Sequence, residues 1–184
     1  MAISKELKAA VLSMTREEKD KLLVRLINKH KDLQEQLQFQ LIEGGETVQE
    51  RRDAIQNTID RLYKLEPDSS GWLMMDMRKI HSMITYHVKI TKDKYGEIEL
   101  VLYLLNQCFE KQLPYVQKYT SKTDGIAEYI AKRTEAVLKK IPKLHEDIQF
   151  EFMEEANALL ERVHTYAPAT YARQLGLPKR IEVS

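Results

Sequence analysis

Two segments of the sequence carry the same helix-start signature, a threonine followed three residues later by a glutamate. They are Thr15-Arg-Glu-Glu18 and Thr47-Val-Gln-Glu50, and apolar residues at helical spacing follow each of them. In such a capping box the threonine side chain accepts a hydrogen bond from the backbone N–H three residues on, and the glutamate side chain accepts one from the threonine N–H. Both segments therefore predict the start of an amphipathic helix, and a chain built from short helices.

The rest of the sequence also favours an all-α fold, with seven or eight short antiparallel helices. The 184 residues include 6 Gly and 5 Pro, fewer than the many tight turns of an all-β fold need. Several of them separate helical patterns, at Gly44-Gly45, in the loop 66–71, and at Pro114, Pro142 and Pro168. Short connections make neighbouring helices antiparallel, so we expect either a compact bundle or a short solenoid-like stack of helical hairpins.

The segment 84–104 is ambiguous between two helices and a β-hairpin. Apolar residues alternate with other residues at Ile84, Tyr86, Val88 and Ile90, and again at Ile98, Leu100, Leu102 and Leu104, with Lys92–Gly96 between the two runs. A composition rich in Leu, Met and Glu favours helix, and an isolated two-stranded hairpin is only marginally stable in water. We therefore predict two helices and keep the hairpin as the alternative.

The length fits a single helical domain, residues 1–184, with a core large enough to fold without a metal or a disulfide. The clearest loop, Glu66-Pro-Asp-Ser-Ser-Gly71, is a candidate internal boundary. It would separate an N-terminal half at 1–65 from a C-terminal half at 72–167, which a tail at 168–184 follows. The tail has too few apolar residues to fold alone, but we expect Leu175 and Leu177 to dock on the body.

We expect a cytoplasmic protein that does not cross a membrane. Residues 1–6 contain charges and no apolar signal-peptide core. The longest uncharged apolar run, Leu100 to Phe109, is about half of the ~20 residues that a membrane span needs. The lone Cys108 can form no intramolecular disulfide and suits a reducing compartment. Because it lies in this apolar run, we expect it to be a buried core residue and not a nucleophile.

The sequence predicts no catalytic residue and no cofactor. It contains no Walker loop, no Gly-x-Gly-x-x-Gly, no His-Glu-x-x-His and no Cys-x-x-Cys. One pattern of metal ligands, Glu161-Arg-Val-His164, places a carboxylate and an imidazole on one helix face. Di-iron helical bundles use this spacing twice and add two further glutamates, whereas this chain has no second copy. A metal-dependent helical enzyme is therefore the least favoured function.

Charge is distributed unevenly towards the C-terminus. Residues 111–145 carry eight Lys or Arg and three acids, a net charge of +5, whereas residues 146–161 carry six acids and no Lys or Arg, a net charge of −6. Oppositely charged neighbouring helices attract each other, and a basic face also suits an acidic partner. Candidate partner-binding residues in the basic segment are Arg133, Lys139, Lys140 and Lys143.

A second group of candidate partner-binding residues lies around Trp72 and Met75. Met74, Met77 and Met83 follow closely in the sequence, and methionine side chains adapt to varied partners, although the same residues also suit ordinary core packing. The favoured function is therefore a non-catalytic helical adaptor that binds a partner protein. The sequence does not indicate whether the chain also binds a second copy of itself.

Nucleic-acid binding through the basic face at 132–143 is the alternative function, although the formal net charge of +1 is low for a nucleic-acid-binding protein. Ser4-Lys-Glu-Leu-Lys8 followed by Leu22-Leu-Val-Arg-Leu26 also resembles the two-helix SAP module, which binds DNA. The resemblance covers about 25 residues and implies a pair of crossed helices. Where that family has a glycine-bearing loop, this chain has Ser13-Met-Thr-Arg-Glu17, so no binding residue is carried over.

Overall fold

The computed structural model describes residues 3–182, and the regular secondary structure in that range is entirely helical. The α-helices are α1 (Lys5–Ser13), α2 (Arg16–Lys29), α3 (Lys31–Leu41), α4 (Val48–Tyr63), α5 (Ser70–Thr91), α6 (Lys94–Lys111), α7 (Asp124–Leu138), α8 (Glu146–Gln149), α9 (Met153–Thr165) and α10 (Ala169–Gln174). Short 3-10 helices lie at Leu113–Tyr115, Ile141–Lys143 and Phe150–Phe152. The all-α prediction is confirmed. The hairpin alternative for 84–104 was wrong, because α5 and α6 occupy that segment.

The chain divides into two compact units between Glu46 and Thr47. The loop at 66–71 lies inside the second unit, where it joins α4 to α5. Gly44 and Gly45, near the end of the first unit, have φ angles of 60° and 81°. Glycine adopts these angles without the steric cost that a Cβ would add, so the pair lets the chain turn after α3.

The first two helices, α1 and α2, begin with side-chain caps. Ser4 Oγ accepts a hydrogen bond from the Leu7 N–H at 3.2 Å at the start of α1. At the start of α2 the predicted capping box is confirmed, since Thr15 Oγ1 accepts from the Glu18 N–H at 3.3 Å and Glu18 accepts from the Thr15 N–H at 2.8 Å. Neither α1 nor α2 contains a buried residue. Their exposed apolar side chains are Leu7, Leu12, Leu23, Val24 and Leu26.

The second predicted capping box does not form. Thr47 precedes α4, but its side chain accepts no hydrogen bond from the backbone of the first turn. Its φ and ψ of −83° and 5° differ from the extended conformation that an N-cap residue usually has. Instead, Thr47 Oγ1 accepts a hydrogen bond from Arg51 Nε at 3.4 Å. The same residue pattern therefore caps α2 but not α4.

The second unit is built around α6, which contacts α4, α5, α7 and α9. Its buried side chains cover most of the circumference of the helix and leave one narrow polar stripe, at Glu99, Tyr103, Gln107 and Glu110, partly exposed. The buried apolar side chains are Ile98, Leu100, Val101, Leu102, Leu104, Leu105, Cys108 and Phe109. Cys108 is fully buried, as predicted, and burial raises the pKa of its thiol to about 12. Two residues, Lys92 and Asp93, connect α5 to α6, and Lys92 has a φ of 62°.

The C-terminal part contains two more α-helices than the sequence pattern predicts. That pattern indicates one last helix that ends before Pro168, but the segment contains α8, a 3-10 turn and α9, and α10 lies within the predicted tail. Leu177 is buried, and Leu175 and Ile181 are half-buried against the core. The predicted docking of Leu175 and Leu177 is confirmed.

Candidate functional site

Trp72 and Met75 lie on the outer face of α5, where their side chains are 53% and 45% exposed. Met83 and Tyr86 are also exposed on this helix. At 100° per residue these four side chains fall within one narrow stripe. Met77, in contrast, is part of the core. The structure therefore leaves both candidate residues accessible.

The four basic candidates do not form one common face. Lys139 pairs with Glu135 at 2.6 Å on its own helix, and Lys140 pairs with Glu97 of α6. Lys143 is exposed in the 3-10 turn after α7. Arg133 turns towards α5. Lys139 and Lys140 are paired with carboxylates. The positive charges of Arg133 and Lys143 are therefore the least neutralised of the four.

Arg133 forms part of a cavity of about 380 Å³ between α5 and α7. Its Nη1 lies 3.1 Å from Nε2 of His81, and its guanidinium stacks at 5.4 Å from the centre of the Tyr129 ring. The guanidinium of Arg78 lies 5.6 Å from the same ring centre. Lys132 also lines the cavity and pairs with Glu128 at 2.6 Å. This arrangement is strongly basic and small enough for one small ligand.

Arg78, His81 and Tyr129 also belong to this cluster, although no pattern in the sequence singled them out. His81 and Arg133 are 52 residues apart, and only the packing of α5 against α7 brings them together. An Arg and a His three residues apart, at Arg78 and His81, were the available local signal, since this spacing places both on one side of a helix.

Glu161 and His164, the residues of the metal pattern, line a groove of about 1280 Å³ between α9, α10 and the residues after α10. Nε2 of His164 lies 3.0 Å from the Pro178 carbonyl oxygen, so this ring holds the C-terminal segment. Asn157 holds the same segment, donating to the Ile181 carbonyl at 3.1 Å and accepting from the Ile181 N–H at 2.8 Å. Within residues 3–182 no three His, Cys, Asp or Glu side chains are grouped to hold a metal.

A buried ionic cluster at the α5–α6 connection was also missed. Asp93 begins α6 by accepting from the Gly96 N–H at 2.9 Å, and it contacts Arg52 of α4 and Nε2 of His87 at 3.0 Å. Burial opposes the ionisation of Asp93, but the hydrogen bonds from His87, Arg52 and Gly96 outweigh it and hold the pKa of this carboxyl well below its usual range. The cluster ties α4 to the ends of α5 and α6, which is a structural role.

Neither a protein-family model nor a curated protein nor a solved structure matches the chain. Function is therefore inferred from the side chains themselves. No helix in the described part of the chain combines the length and the apolar character that crossing a membrane requires.

Proposed function

We propose that the protein is a non-catalytic interaction module, an adaptor that binds another protein through its first unit. The observation that carries the proposal is that α1 and α2 have capped N-termini and contain no buried residue. Leu23 and Leu26 of α2, for example, are 52% and 40% exposed.

Physical chemistry makes this arrangement unusual for a chain that acts alone. The helices α1 and α2 have 9 and 14 residues, and isolated helices shorter than about 12–15 residues are marginal in water. Most helices in proteins are stabilised by packing of an apolar face and not by their caps. An exposed apolar stripe on a capped helix is typical of a surface that a partner covers.

The partner that suits this surface is an amphipathic helix of another protein, packed with its apolar stripe against Leu23 and Leu26. Basic and acidic residues lie on the same side of α2 as its exposed leucines, at Arg16, Lys19 and Asp20. Such mixed charges favour a partner helix with its own mixed polar face over a uniformly charged polymer. The exposed stripe at Trp72 and Met75 offers a second, independent contact surface.

A cytoplasmic location is part of the proposal. It is supported by the lone, fully buried Cys108, since proteins of oxidising compartments more often contain paired cysteines.

The test is an affinity purification from native lysate with the full-length wild-type chain and two variants. Each bound sample is divided in two, and one half is treated with nuclease before elution. Leu23→Glu introduces a charge into the exposed apolar stripe, and Asn28→Glu introduces the same charge on the polar side of the same helix. We expect one stoichiometric protein to be recovered with wild type and with Asn28→Glu, to survive nuclease, and to be lost with Leu23→Glu.

Three outcomes would overturn the proposal. The first is recovery of no stoichiometric protein with wild type, and the second is equal recovery with both variants. The third is loss of all bound material on nuclease treatment, which would support the nucleic-acid alternative. Light scattering on the purified proteins detects a different outcome, in which wild type is a dimer, Leu23→Glu is a monomer, and no other protein is captured.

A further inference from the structure

Two buried hydrogen-bond donors lie beside the cavity between α5 and α7 and have no acceptor in the described part of the chain. An arginine only donates hydrogen bonds, so in the contact between Arg133 and His81 the Nε2 atom of His81 is the acceptor. His81 is therefore neutral and carries its proton on Nδ1. This agrees with its pKa, which burial and the charges of Arg133 and Lys140 lower to about 4. Within residues 3–182, Nδ1 of His81 and Nε of Arg133 are buried donors without a partner.

Two guanidinium groups beside the cavity, those of Arg78 and Arg133, have no carboxylate partner in the described part of the chain. The guanidinium groups of Arg78 and Arg133 both lie over the Tyr129 ring. One N–H group of Arg133 donates to His81, and the guanidinium groups otherwise retain N–H groups that can bind oxygen atoms. The one acid that lines the cavity, Glu128, pairs with Lys132 at 2.6 Å.

Two guanidinium groups that line one cavity and have no carboxylate partner among residues 3–182 favour an anionic ligand rich in acceptor atoms. A phosphoryl group presents several oxygen atoms in different directions and carries up to two charges. The cavity, at about 380 Å³, also leaves room for a small organic group attached to the phosphate.

We propose that the cavity between α5 and α7 binds a phosphate monoester, with Arg78 and Arg133 holding the phosphoryl oxygens and the ring of His81 lying beside them. Lys132 adds positive charge at the edge of the cavity, and Glu128 reduces it. The proposal is independent of the protein-binding surface on the first unit. The Leu23→Glu variant is therefore expected to bind phosphate as wild type does.

The test is calorimetric titration of the purified full-length chain with inorganic phosphate, phenyl phosphate and acetate. We expect both phosphates to bind, phenyl phosphate more tightly, and acetate to bind at least about tenfold more weakly.

The exposed Arg78 is the residue to change first, because its substitution leaves the core intact. Arg78→Gln should weaken phosphate binding about tenfold or more. Arg61→Gln removes the same charge from an exposed position of α4 outside the cavity and should have no such effect.

Two further measurements test whether Arg78→Gln weakens phosphate binding only because the protein loses one positive charge. Glu128→Gln should strengthen phosphate binding, since it removes the acid at the cavity edge. In NMR titrations with saturating sulfate, which stays a dianion throughout, the pKa of His81 should rise, because a nearby negative charge favours the imidazolium. The proposal fails if Arg78→Gln and Arg61→Gln weaken binding equally. It also fails if phosphate leaves the His81 resonances unchanged.

Discussion

The guanidinium of Arg52 makes two parallel hydrogen bonds to the carboxylate of Asp93, at 2.6 Å from Nε and 2.7 Å from Nη2. Both side chains are largely buried. This bidentate pair joins α4 to the connection between α5 and α6. Breaking one partner of such a pair leaves the other charge buried without compensation.

Asp93→Asn should therefore lower the free energy of unfolding by about 3 kcal/mol, measured by urea denaturation. The control is Asp76→Asn, which breaks an exposed pair with Lys79 and should cost no more than about 1 kcal/mol. Equal losses in the two variants would contradict a special role for the buried pair.

The pH dependence of stability should also report on Asp93. Its pKa is lowered in the folded state, so the carboxylate contributes stability that is fully present above its unfolded pKa of about 4. That contribution is lost as the pH falls from there towards the lower folded pKa. The difference in unfolding free energy between wild type and Asp93→Asn should accordingly shrink as the pH falls below about 4. A difference that stays constant through this window would show that the charge of Asp93 does not matter.

Gly96 should tolerate no side chain. A Cβ at this position would overlap the Asp93 carboxylate and the Arg52 side chain, so Gly96→Ala should destabilise the protein by about 1–3 kcal/mol despite the better helix propensity of alanine. Gly71 is the matched position at the start of α5, where a Cβ would make an ordinary 3.7 Å contact with Ser69 Oγ. Gly71→Ala should be neutral or stabilising by up to about 1 kcal/mol. Thermal denaturation of the two variants distinguishes these effects.

The two threonines with identical local sequence patterns should respond differently to substitution. Thr15→Ala removes a cap and should destabilise α2 by about 1 kcal/mol, whereas Thr47→Ala removes no backbone cap and should affect α4 less. Hydrogen exchange followed by mass spectrometry measures both helices in the same experiment. A larger effect at α4 would contradict the difference between the two helix starts.

The segment after α10 should depend on Asn157. Asn157→Ala removes both hydrogen bonds to the backbone of Ile181, so exchange of the Ile181 amide should accelerate about fivefold or more. Asn57→Ala, on the exposed side of α4, is the control and should leave that amide unchanged. An unchanged rate in Asn157→Ala would mean that apolar packing alone holds the segment.

Local patterns in the sequence were sufficient to predict the class of fold and the cap at Thr15. They failed at Thr47, where the backbone conformation before α4 prevents the predicted cap. They left 84–104 ambiguous because α6 is central and buried around most of its circumference. A helix with only a narrow polar stripe has a weak 3.6-residue period, so its apolar residues also match the alternation of a strand.

The cavity and the ionic cluster depend on contacts between distant parts of the chain. Arg133 was a candidate on charge alone, but its contact with His81 crosses 52 residues. Arg52 and Asp93 are 41 residues apart. Periodicity reports which face of a helix is apolar but not which helix lies opposite, so neither contact follows from the sequence pattern.

The burial of most of α6 has a consequence for how this protein can change during evolution. Substitutions at its buried positions alter packed contacts with one of four neighbouring helices, whereas the outer faces of those helices can vary at little cost to folding. New binding specificities in the second unit are therefore expected to arise by change at the periphery. The sequence of α6 should diverge most slowly, and distant relatives should be recognised through it and not through their binding surfaces.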